Sequence, residues 1–342
     1  MGLFSSRRDG ALDGLRGVAA LGVLASHALA SLYLPRGPAN PGQFGVIAFF
    51  CISGALIPVA LQRYGSLRQF WIGRVTRLYP LFWLSIVLAV LLIPAQPAHV
   101  VGLDISLPMP PRMLMWNATM LFGFVNSNQV LGVYWTLHVE LIWYLLVSVL
   151  WAVGLLRYTV ALTAVAAALA LLAPDVRPAG LFAYLACMGY GATLAEYRVG
   201  RIRPRAVVWL SVGVMSAVVL ATWFQYRGYE AELAPTFAGG RAVGLALAAL
   251  TLTGRADRLL MPLSPLGTIS YGIYLLHPIA IAIVPPLGSA WWTLVVWTGL
   301  TLAAATAAHV LVERPGIAIG RRLIRVRRAE TESPVPGVVP PA

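Results

Sequence analysis

The sequence of 342 residues contains no lysine, and aspartate and glutamate together number only 12. Without a lysine amine, the chain can form neither a Schiff base nor the phosphate contact of a P-loop lysine. Charged residues make up 11% of the chain, against about 25% in an average soluble domain. Together with a mean hydropathy of +0.78, this excludes a soluble globular enzyme and a disordered chain. The two cysteines, Cys51 and Cys187, lie within apolar runs, which excludes a disulfide-stapled secreted module and predicts free thiols packed among helices.

Long apolar runs dominate the rest of the chain. A membrane-crossing helix needs about 20 mostly apolar residues. The strongest runs cover residues 12–33, 44–62, 78–95, 132–154, 158–174, 180–196, 206–225, 238–254, 268–287 and 291–313. A further run, 113–127, is short and carries Asn117 and Asn126, so we interpret it as a re-entrant or interfacial segment. The sequence therefore predicts an all-α fold, a polytopic transmembrane helical bundle with about ten spans.

The distribution of arginine predicts the orientation of this bundle. All 25 basic residues are arginine, and the formal net charge is +13. If the N-terminus is cytoplasmic, nineteen arginines fall in cytoplasmic segments, and five fall on the other side: Arg36, Arg112, Arg177, Arg227 and Arg241. This bias follows the positive-inside rule and predicts that both termini are cytoplasmic. Because the basic residues cluster at the ends of apolar runs, the excess of charge needs no nucleic-acid partner.

The chain reads as one membrane domain with a short tail. We assign residues 1–328 to a single transmembrane domain and the proline-rich residues 329–342 to a disordered cytoplasmic tail. We expect a multi-pass integral protein in contact with the lipid bilayer of a bacterial cytoplasmic membrane.

Two ionisable residues lie within the first span, where polar groups are costly and functional candidates by default. Arg16 and His27 are eleven residues apart, which places them on one helix face with an axial separation of about 16 Å. This geometry suits a long substrate with its charged end at Arg16 and its reactive end at His27. The alternative is that Arg16 extends to the interface and pairs with Asp13, while His27 bonds a neighbouring helix.

Arg74 and Arg77, at the cytoplasmic end of the third span, share a helix face at i, i+3. Two adjacent guanidinium forks suit phosphate groups. The alternative is a purely topological role, since Arg63 and Arg68 lie in the same segment.

Trp135, His138 and Glu140 enter the fifth run from the outer side. Glu140 is expected about 13 Å below the outer surface and His27 about 9 Å below it, so the two can meet at similar depth. Trp135 is typical of the interfacial aromatic belt, and His138 can be structural. A buried carboxylate such as Glu140 needs a partner.

His277 precedes Pro278 in the middle of a later span. It is either functional or satisfies backbone groups that the proline frees. His309 and Glu313 close the last span. The sequence has no cluster with metal-ligand spacing, no glycine-rich phosphate loop and no Gly-x-Ser-x-Gly elbow, so we predict no metal site.

Taken in order, these segments resemble the integral-membrane acyltransferase-3 family over residues 10–316. The similar motifs are Arg16-x10-His27, the FFCISGALI segment at 49–57, Arg74-x-x-Arg77, WTLHVE at 135–140, SYGIYLLHP at 270–278 and ERP at 313–315. The sequence departs from the family's pattern at Ala55, His138 and Leu141, which concerns the acceptor pocket more than the chemistry.

The resemblance implies transfer of an acyl group, often acetyl, from acyl-CoA to a hydroxyl of a carbohydrate or another small acceptor. Acyl-CoA would act as a co-substrate, with no tightly bound cofactor. Arg74 and Arg77, with Arg16, would hold the phosphates of coenzyme A. The pantetheine arm would extend along the first span toward His27.

His27 would act as the general base, since an imidazole titrates near the working pH. Glu140 would orient His27 or bind acceptor hydroxyls. Ser53, Trp135, His138 and His277 are assigned to substrate binding. In a variant of this mechanism, His27 is itself acylated first.

The alternative function is a proton-coupled transporter or flippase for a lipid-linked or small polar substrate. Buried His, Glu and Arg residues fit such a protein as well. Against it, no inverted internal repeat is visible, and the polar residues concentrate in the first half of the chain.

Overall fold

The structure is a computed structural model that describes residues 10–35, 37–93, 97, 99–101, 103–172, 180–226 and 232–332, with side chains up to residue 325. Within these residues the fold is helical, apart from one isolated bridge between Ile105 and Leu131. The predicted all-α architecture is confirmed.

Fourteen α-helices follow one another in the described ranges. They are α1 (Gly10–Ser31), α2 (Pro41–Tyr64), α3 (Leu67–Leu92), α4 (Pro111–Ala118), α5 (Trp135–Ala152), α6 (Thr159–Leu172), α7 (Leu181–Arg198), α8 (Pro204–Tyr226), α9 (Ala234–Leu252), α10 (Asp257–Leu260), α11 (Ser264–Thr268), α12 (Ser270–Ile283), α13 (Ala290–Ala308) and α14 (Arg314–Glu332). Short 3-10 turns occur at Phe122–Val125, Gly132–Tyr134, Leu156–Tyr158 and Met261–Leu263, and a π-turn at His309–Glu313 joins α13 to α14.

All ten predicted spans coincide with helices, but fewer of them meet the requirements for crossing a membrane. Among the described residues, seven stretches are long and apolar enough: α1, α2, α3, Gly132–Ala152, α8, α9 and Ala290–Arg325. An eighth is the pair Asp257–Thr268 and Ser270–Ile283, which bends by 60°. The described part of α6 has 14 residues and covers about 21 Å, less than the ~30 Å of a hydrocarbon core. Helix α7 is long enough but too polar, since it ends in a charged turn with Glu196 and Arg198.

The run at 113–127 is not one continuous helix and is absent from the candidate spans among the described residues. It forms the eight-residue helix α4 and the turn Phe122–Val125. Asn117 is fully buried and ties this segment together. Its side-chain amide donates to the carbonyls of Met113 and Asn128, and its oxygen accepts from the backbone N–H of Val130.

Helix α2 contacts α1, α5, α7 and α9 and lies at the centre of the bundle. Its start is fixed by Asn40, whose side-chain oxygen accepts from the backbone N–H groups of Gly42 and Gln43. Proline at the first helical position is compatible with this cap. The helix ends at Gly65, which has a φ of +61°.

The contact between α2 and α7 depends on Gly54. A Cβ atom at this position would overlap the backbone carbonyl of Met188. Because successive residues of a helix differ by about 100° in direction, the neighbouring Ser53 turns away from α7. Its hydroxyl bonds Glu140 of α5 instead. The Ser-Gly pair thus allows close packing on one side and supplies a polar group on the other.

Only the beginning of the predicted C-terminal tail lies within the described residues. Residues 329–332, assigned to a disordered tail, form the end of α14. The remainder of that tail, 333–342, lies outside the described residues.

Candidate functional site

Two adjacent cavities penetrate the bundle. The first, which we name the arginine-lined cavity, has a volume of about 350 Å³, and its polar lining includes Arg16, Ser53, Arg63, Arg74, Arg77, Glu140 and Tyr144. The second, the histidine-lined cavity, has a volume of about 500 Å³, and its polar lining includes Ser26, His27, Asn40, Gln43, Asp104 and Trp135. Val46 and Tyr274 line both cavities, so these two side chains form a shared wall.

Helix α1 contributes one residue of the predicted pair to each cavity. Arg16 lines the arginine-lined cavity, and His27 lines the histidine-lined cavity. The Nη1 atom of Arg16 also lies 3.5 Å from a carboxylate oxygen of Asp13, one turn earlier. Arg16 therefore forms the ion pair with Asp13 that was the alternative interpretation, and it also lines a cavity.

Helix α3 brings Arg74 and Arg77 to the arginine-lined cavity, on one face as their spacing predicts. The guanidinium carbon of Arg74 lies 5.6 Å from the ring centre of Phe70. Its Nε atom is buried and has no hydrogen-bond partner among the residues that the structure describes. A buried, unpaired donor on a charged group is costly, and this cost would be relieved by an anionic occupant of the cavity.

Glu140 lies in the arginine-lined cavity. One carboxylate oxygen accepts from the hydroxyl of Ser53 at 2.8 Å and from the hydroxyl of Tyr144 at 2.6 Å. The structure thus gives Glu140 contacts with Ser53 and Tyr144, whereas His27 lines the other cavity. Equal depth in a membrane does not fix the lateral position of a side chain, and the two residues are on different sides of the shared wall.

His27 is paired with His277 of α12. The Nδ1 atom of His27 lies 2.9 Å from the Nε2 atom of His277. The Nδ1 atom of His277 lies 3.0 Å from the backbone carbonyl of Ile273. A carbonyl only accepts, so His277 carries its proton on Nδ1 and, when neutral, accepts at Nε2. His27 is then protonated on Nδ1, so Nε2 is the nitrogen of its neutral ring that carries the lone pair.

His277 is fully buried and lines neither cavity. Its assignment to substrate binding stays a prediction. It contacts His27 directly, and its Nδ1 atom donates to the carbonyl of Ile273. The carbonyl that Pro278 frees is the one four residues earlier, at Tyr274.

His138 also lies away from both cavities. Its Nδ1 atom is 2.9 Å from the carbonyl of Met120, and its ring packs against Phe122 and Phe124. A Cβ atom at Gly123 would overlap the imidazole. The side chain therefore packs the segment 113–127 against α5, and its assignment to substrate binding stays a prediction.

The remaining predicted residues divide between the two cavities. Trp135 lines the histidine-lined cavity, where its ring lies against Tyr184 and Phe50. Ser53 lines the arginine-lined cavity.

Arg241 was predicted to lie in an outer loop, but it is in α9 and fully buried. The signal was present in the sequence, because residue 241 falls within the apolar run 238–254. Asn40, Gln43 and Asp104 were also missed. Asn40 and Gln43 lie just before the run 44–62, and Asp104 lies between two runs, so nothing in the sequence separates them from ordinary loop residues.

Comparison with known proteins identifies the family. Residues 9–314 match the model of the acyltransferase-3 family, described as an acyltransferase domain. The chain is similar to nodulation protein 10 of Rhizobium leguminosarum bv. viciae. The two are 26% identical over an alignment of 366 positions, which covers 94% of this chain and 97% of that protein. No solved structure matches the chain.

Proposed function

The chain belongs to the acyltransferase-3 family and is a membrane-embedded acyl-transfer enzyme, and from this premise we propose that it transfers an acetyl or other acyl group from cytoplasmic acyl-CoA to a hydroxyl of a carbohydrate or another small acceptor. The arginine-lined cavity receives the donor from the cytoplasmic side. The histidine-lined cavity receives the acceptor from the opposite side.

The observation that carries this proposal is the arrangement of three arginines, Arg16, Arg74 and Arg77, around one cavity. The buried Nε atom of Arg74 has no partner within the described ranges, and a coenzyme A phosphate would supply one. A cationic cavity on the cytoplasmic side also fits the place where acyl-CoA is made. Arg74 and Arg77 therefore hold phosphate oxygens, and Arg16 adds charge on the α1 side.

The thioester reaches His27 by passing the shared wall. Helix α1 extends from Arg16 to His27 over about 16 Å, a length that the pantetheine arm can cover. Val46 and Tyr274 are the two side chains that line both cavities, so the acyl end of the donor passes between or beside them.

The chemistry requires one base and one nucleophilic oxygen. The Nε2 atom of His27 accepts the proton of the acceptor hydroxyl while the hydroxyl oxygen attacks the thioester carbonyl carbon. The carbon–sulfur bond then breaks, and the coenzyme A thiolate leaves and takes up the proton from His27. His277 positions His27 and fixes the tautomer in which Nε2 is the base.

Glu140 has a different role from the one expected. With Ser53 and Tyr144 it forms a hydrogen-bonded cluster in the donor cavity. We assign it to the organisation of that cavity, where a carboxylate also balances part of the arginine charge.

A coupled assay tests the proposal. The purified protein in detergent is mixed with acetyl-CoA, and free thiol is measured with and without a panel of saccharides. The proposal expects thiol release that depends on a saccharide, and no release by the His27→Ala variant at normal expression. Proton-driven uptake into proteoliposomes without thiol release would instead favour the transporter.

A second measurement separates the two chemical routes. The protein is incubated with radiolabelled acetyl-CoA in the absence of acceptor and quenched rapidly. Label on the protein that is absent in His27→Ala supports an acyl-histidine intermediate. Direct transfer leaves the protein unlabelled.

A further inference from the structure

Two carboxamide side chains, Asn40 and Gln43, line the histidine-lined cavity, and the oxygen of each already accepts hydrogen bonds from other groups of the protein. The Oδ1 atom of Asn40 accepts from the backbone N–H groups of Gly42 at 2.8 Å and Gln43 at 3.1 Å. The hydroxyl of Ser26 donates to the same oxygen at 3.1 Å. Backbone N–H groups only donate, so the orientation of this amide is fixed. The Nδ2 amino group of Asn40 has no partner among the described residues.

Gln43 is oriented in the same way by Arg241. The Nε atom of Arg241 donates to the Oε1 atom of Gln43 at 2.8 Å. A guanidinium has no acceptor, so the amide oxygen of Gln43 must face Arg241. Its Nε2 amino group is what remains to bind a molecule in the cavity.

Arg241 itself does not reach this cavity. It is fully buried, and its two terminal nitrogens donate to the hydroxyls of Thr222 at 2.8 Å and Tyr184 at 3.0 Å. Its guanidinium also lies over the ring of Tyr184, 5.2 Å from the centre. A charged arginine fully buried in a membrane bundle is costly, and such residues are rare outside functional positions. Among the described residues, its one hydrogen bond to a cavity-lining residue is the bond that orients Gln43.

We propose that Asn40 and Gln43 form an acceptor subsite that binds an uncharged polyhydroxylated molecule, and that Arg241 is a positioning residue that fixes the amide of Gln43. This inference rests on the proposed function. The two amino groups donate to hydroxyl or ring oxygens, and the carboxylate of Asp104 accepts from hydroxyl groups of the same molecule. Trp135 supplies an apolar face. The negative charge of Asp104 disfavours an anionic acceptor. The positive charge of Arg241 does not offset it, because this guanidinium bonds the neutral side chains of Gln43, Thr222 and Tyr184.

The subsite also places the acceptor beside the base. His27 lines the same cavity as Asn40 and Gln43. A hydroxyl of a molecule held by these amides can therefore approach the Nε2 atom of His27, as general base catalysis requires.

A matched pair of variants separates binding from packing. Gln43→Met and Thr222→Val each remove one hydrogen-bond acceptor of Arg241, but only Gln43 lines the cavity. We expect Gln43→Met to raise the acceptor KM about five- to tenfold, with the KM for acetyl-CoA unchanged. Thr222→Val leaves the acceptor KM at the wild-type value. If both variants raise the acceptor KM equally, or if neither does, the subsite is wrong.

Asn40→Asp gives a second test that preserves the helix cap. Aspartate caps a helix as well as asparagine does, and its oxygen can accept the same three hydrogen bonds. The variant replaces only the amino group that faces the cavity. We expect an unchanged thermal unfolding midpoint and an acceptor KM raised about five- to tenfold. An unchanged acceptor KM would contradict the role of Asn40.

The positioning role of Arg241 is tested by non-additivity. If Arg241 acts on the acceptor through Gln43, the double variant Arg241→Met/Gln43→Met has the same acceptor KM as Gln43→Met alone. Additive effects on the acceptor KM would show that Arg241 acts by another route.

Binding is measured without the donor, so that failure of the subsite and failure of the proposed function are distinguished. Calorimetric titrations use glucose, galactose, cellotetraose and maltotetraose on the wild-type protein and on the Gln43→Met, Asn40→Asp and Thr222→Val variants. We expect at least one saccharide to bind the wild type and Thr222→Val, and to lose about five- to tenfold in affinity in the other two. Saccharide binding without any thiol release from acetyl-CoA would overturn the proposed function and leave the subsite standing. No saccharide binding to the wild type would overturn the subsite.

Discussion

The Nδ1 atom of His27 and the Nε2 atom of His277 are 2.9 Å apart, and the backbone carbonyl of Ile273 completes this chain at 3.0 Å from the Nδ1 atom of His277. The arrangement uses a neutral imidazole where a hydrolytic triad uses a carboxylate. A carboxylate would bring a negative charge into the membrane interior. An imidazole bound to a carbonyl fixes the tautomer of the base without that charge.

The first prediction concerns His277. We expect His277→Ala to lower kcat about tenfold to a hundredfold, since an unoriented base loses part of the gain of general base catalysis. The KM for acetyl-CoA stays unchanged, because His277 lines neither cavity. Steady-state kinetics with varied donor and acceptor check this. His277→Gln, which can accept from His27, recovers part of the loss. An unchanged kcat in His277→Ala would remove His277 from the mechanism.

The second prediction concerns the phosphate-binding arginines. Arg74→Ala and Arg77→Ala each lose a charge-assisted contact, so we expect the KM for acetyl-CoA to rise about tenfold or more. The acceptor KM is unaffected. The matched control is Arg68→Ala, which removes an exposed arginine of the same helix that does not line the cavity. Donor titrations in the three variants decide the question. Equal effects in all three would indicate a general effect of charge on the cytoplasmic face.

The third prediction separates the charge of Glu140 from its hydrogen bonds. Glu140→Gln keeps an oxygen that accepts from Ser53 and Tyr144, and we expect it to retain folding and most donor binding. Glu140→Ala leaves both hydroxyls without their acceptor at a cost of about 1–3 kcal/mol each. Thermal unfolding in detergent and donor titration measure the two effects. A complete loss of turnover in Glu140→Gln with normal stability would return Glu140 to a catalytic role.

The fourth prediction concerns His138. We expect His138→Ala to lower the free energy of unfolding by about 2–4 kcal/mol, because it leaves the carbonyl of Met120 unpaired and opens a cavity beside Phe122 and Phe124. Both KM values stay near wild type in the folded fraction. Thermal unfolding followed by kinetics below the transition tests this. A raised acceptor KM without loss of stability would support the role in substrate binding that the sequence predicted.

The sequence predicted the features that follow from the geometry of a single helix. Apolar runs located the helices, and the spacing of Arg16 and His27 correctly placed both on cavity-facing positions of α1. The spacing of Arg74 and Arg77 worked for the same reason. Within a single helix, direction follows from residue number alone.

The sequence failed where two helices meet. Glu140 and His27 have similar predicted depths, but depth gives no lateral position, and the partner of His27 is 250 residues away in α12. The side chain of Gln43 is oriented by Arg241, and that of Asn40 also accepts from Ser26. Both partners belong to other helices, so the sequence does not reveal these contacts. The number of spans differs for another reason. The sequence count considered apolar runs alone, whereas among the described residues seven stretches, and one bent pair, also meet the length requirement for crossing a membrane.

Tyr274 and Val46 form the wall between the two cavities. Tyr274 is fixed by its hydroxyl, which donates to the carbonyl of Val133 at 2.9 Å and lies 2.7 Å from the hydroxyl of Thr136. In the proposed orientation, water enters the protein from both faces of the membrane, and these two side chains form the insulating layer between the two aqueous compartments. The membrane potential would then fall mainly across this wall, next to the bond that reacts. An enzyme built in this way has to open for an acyl chain without opening for protons.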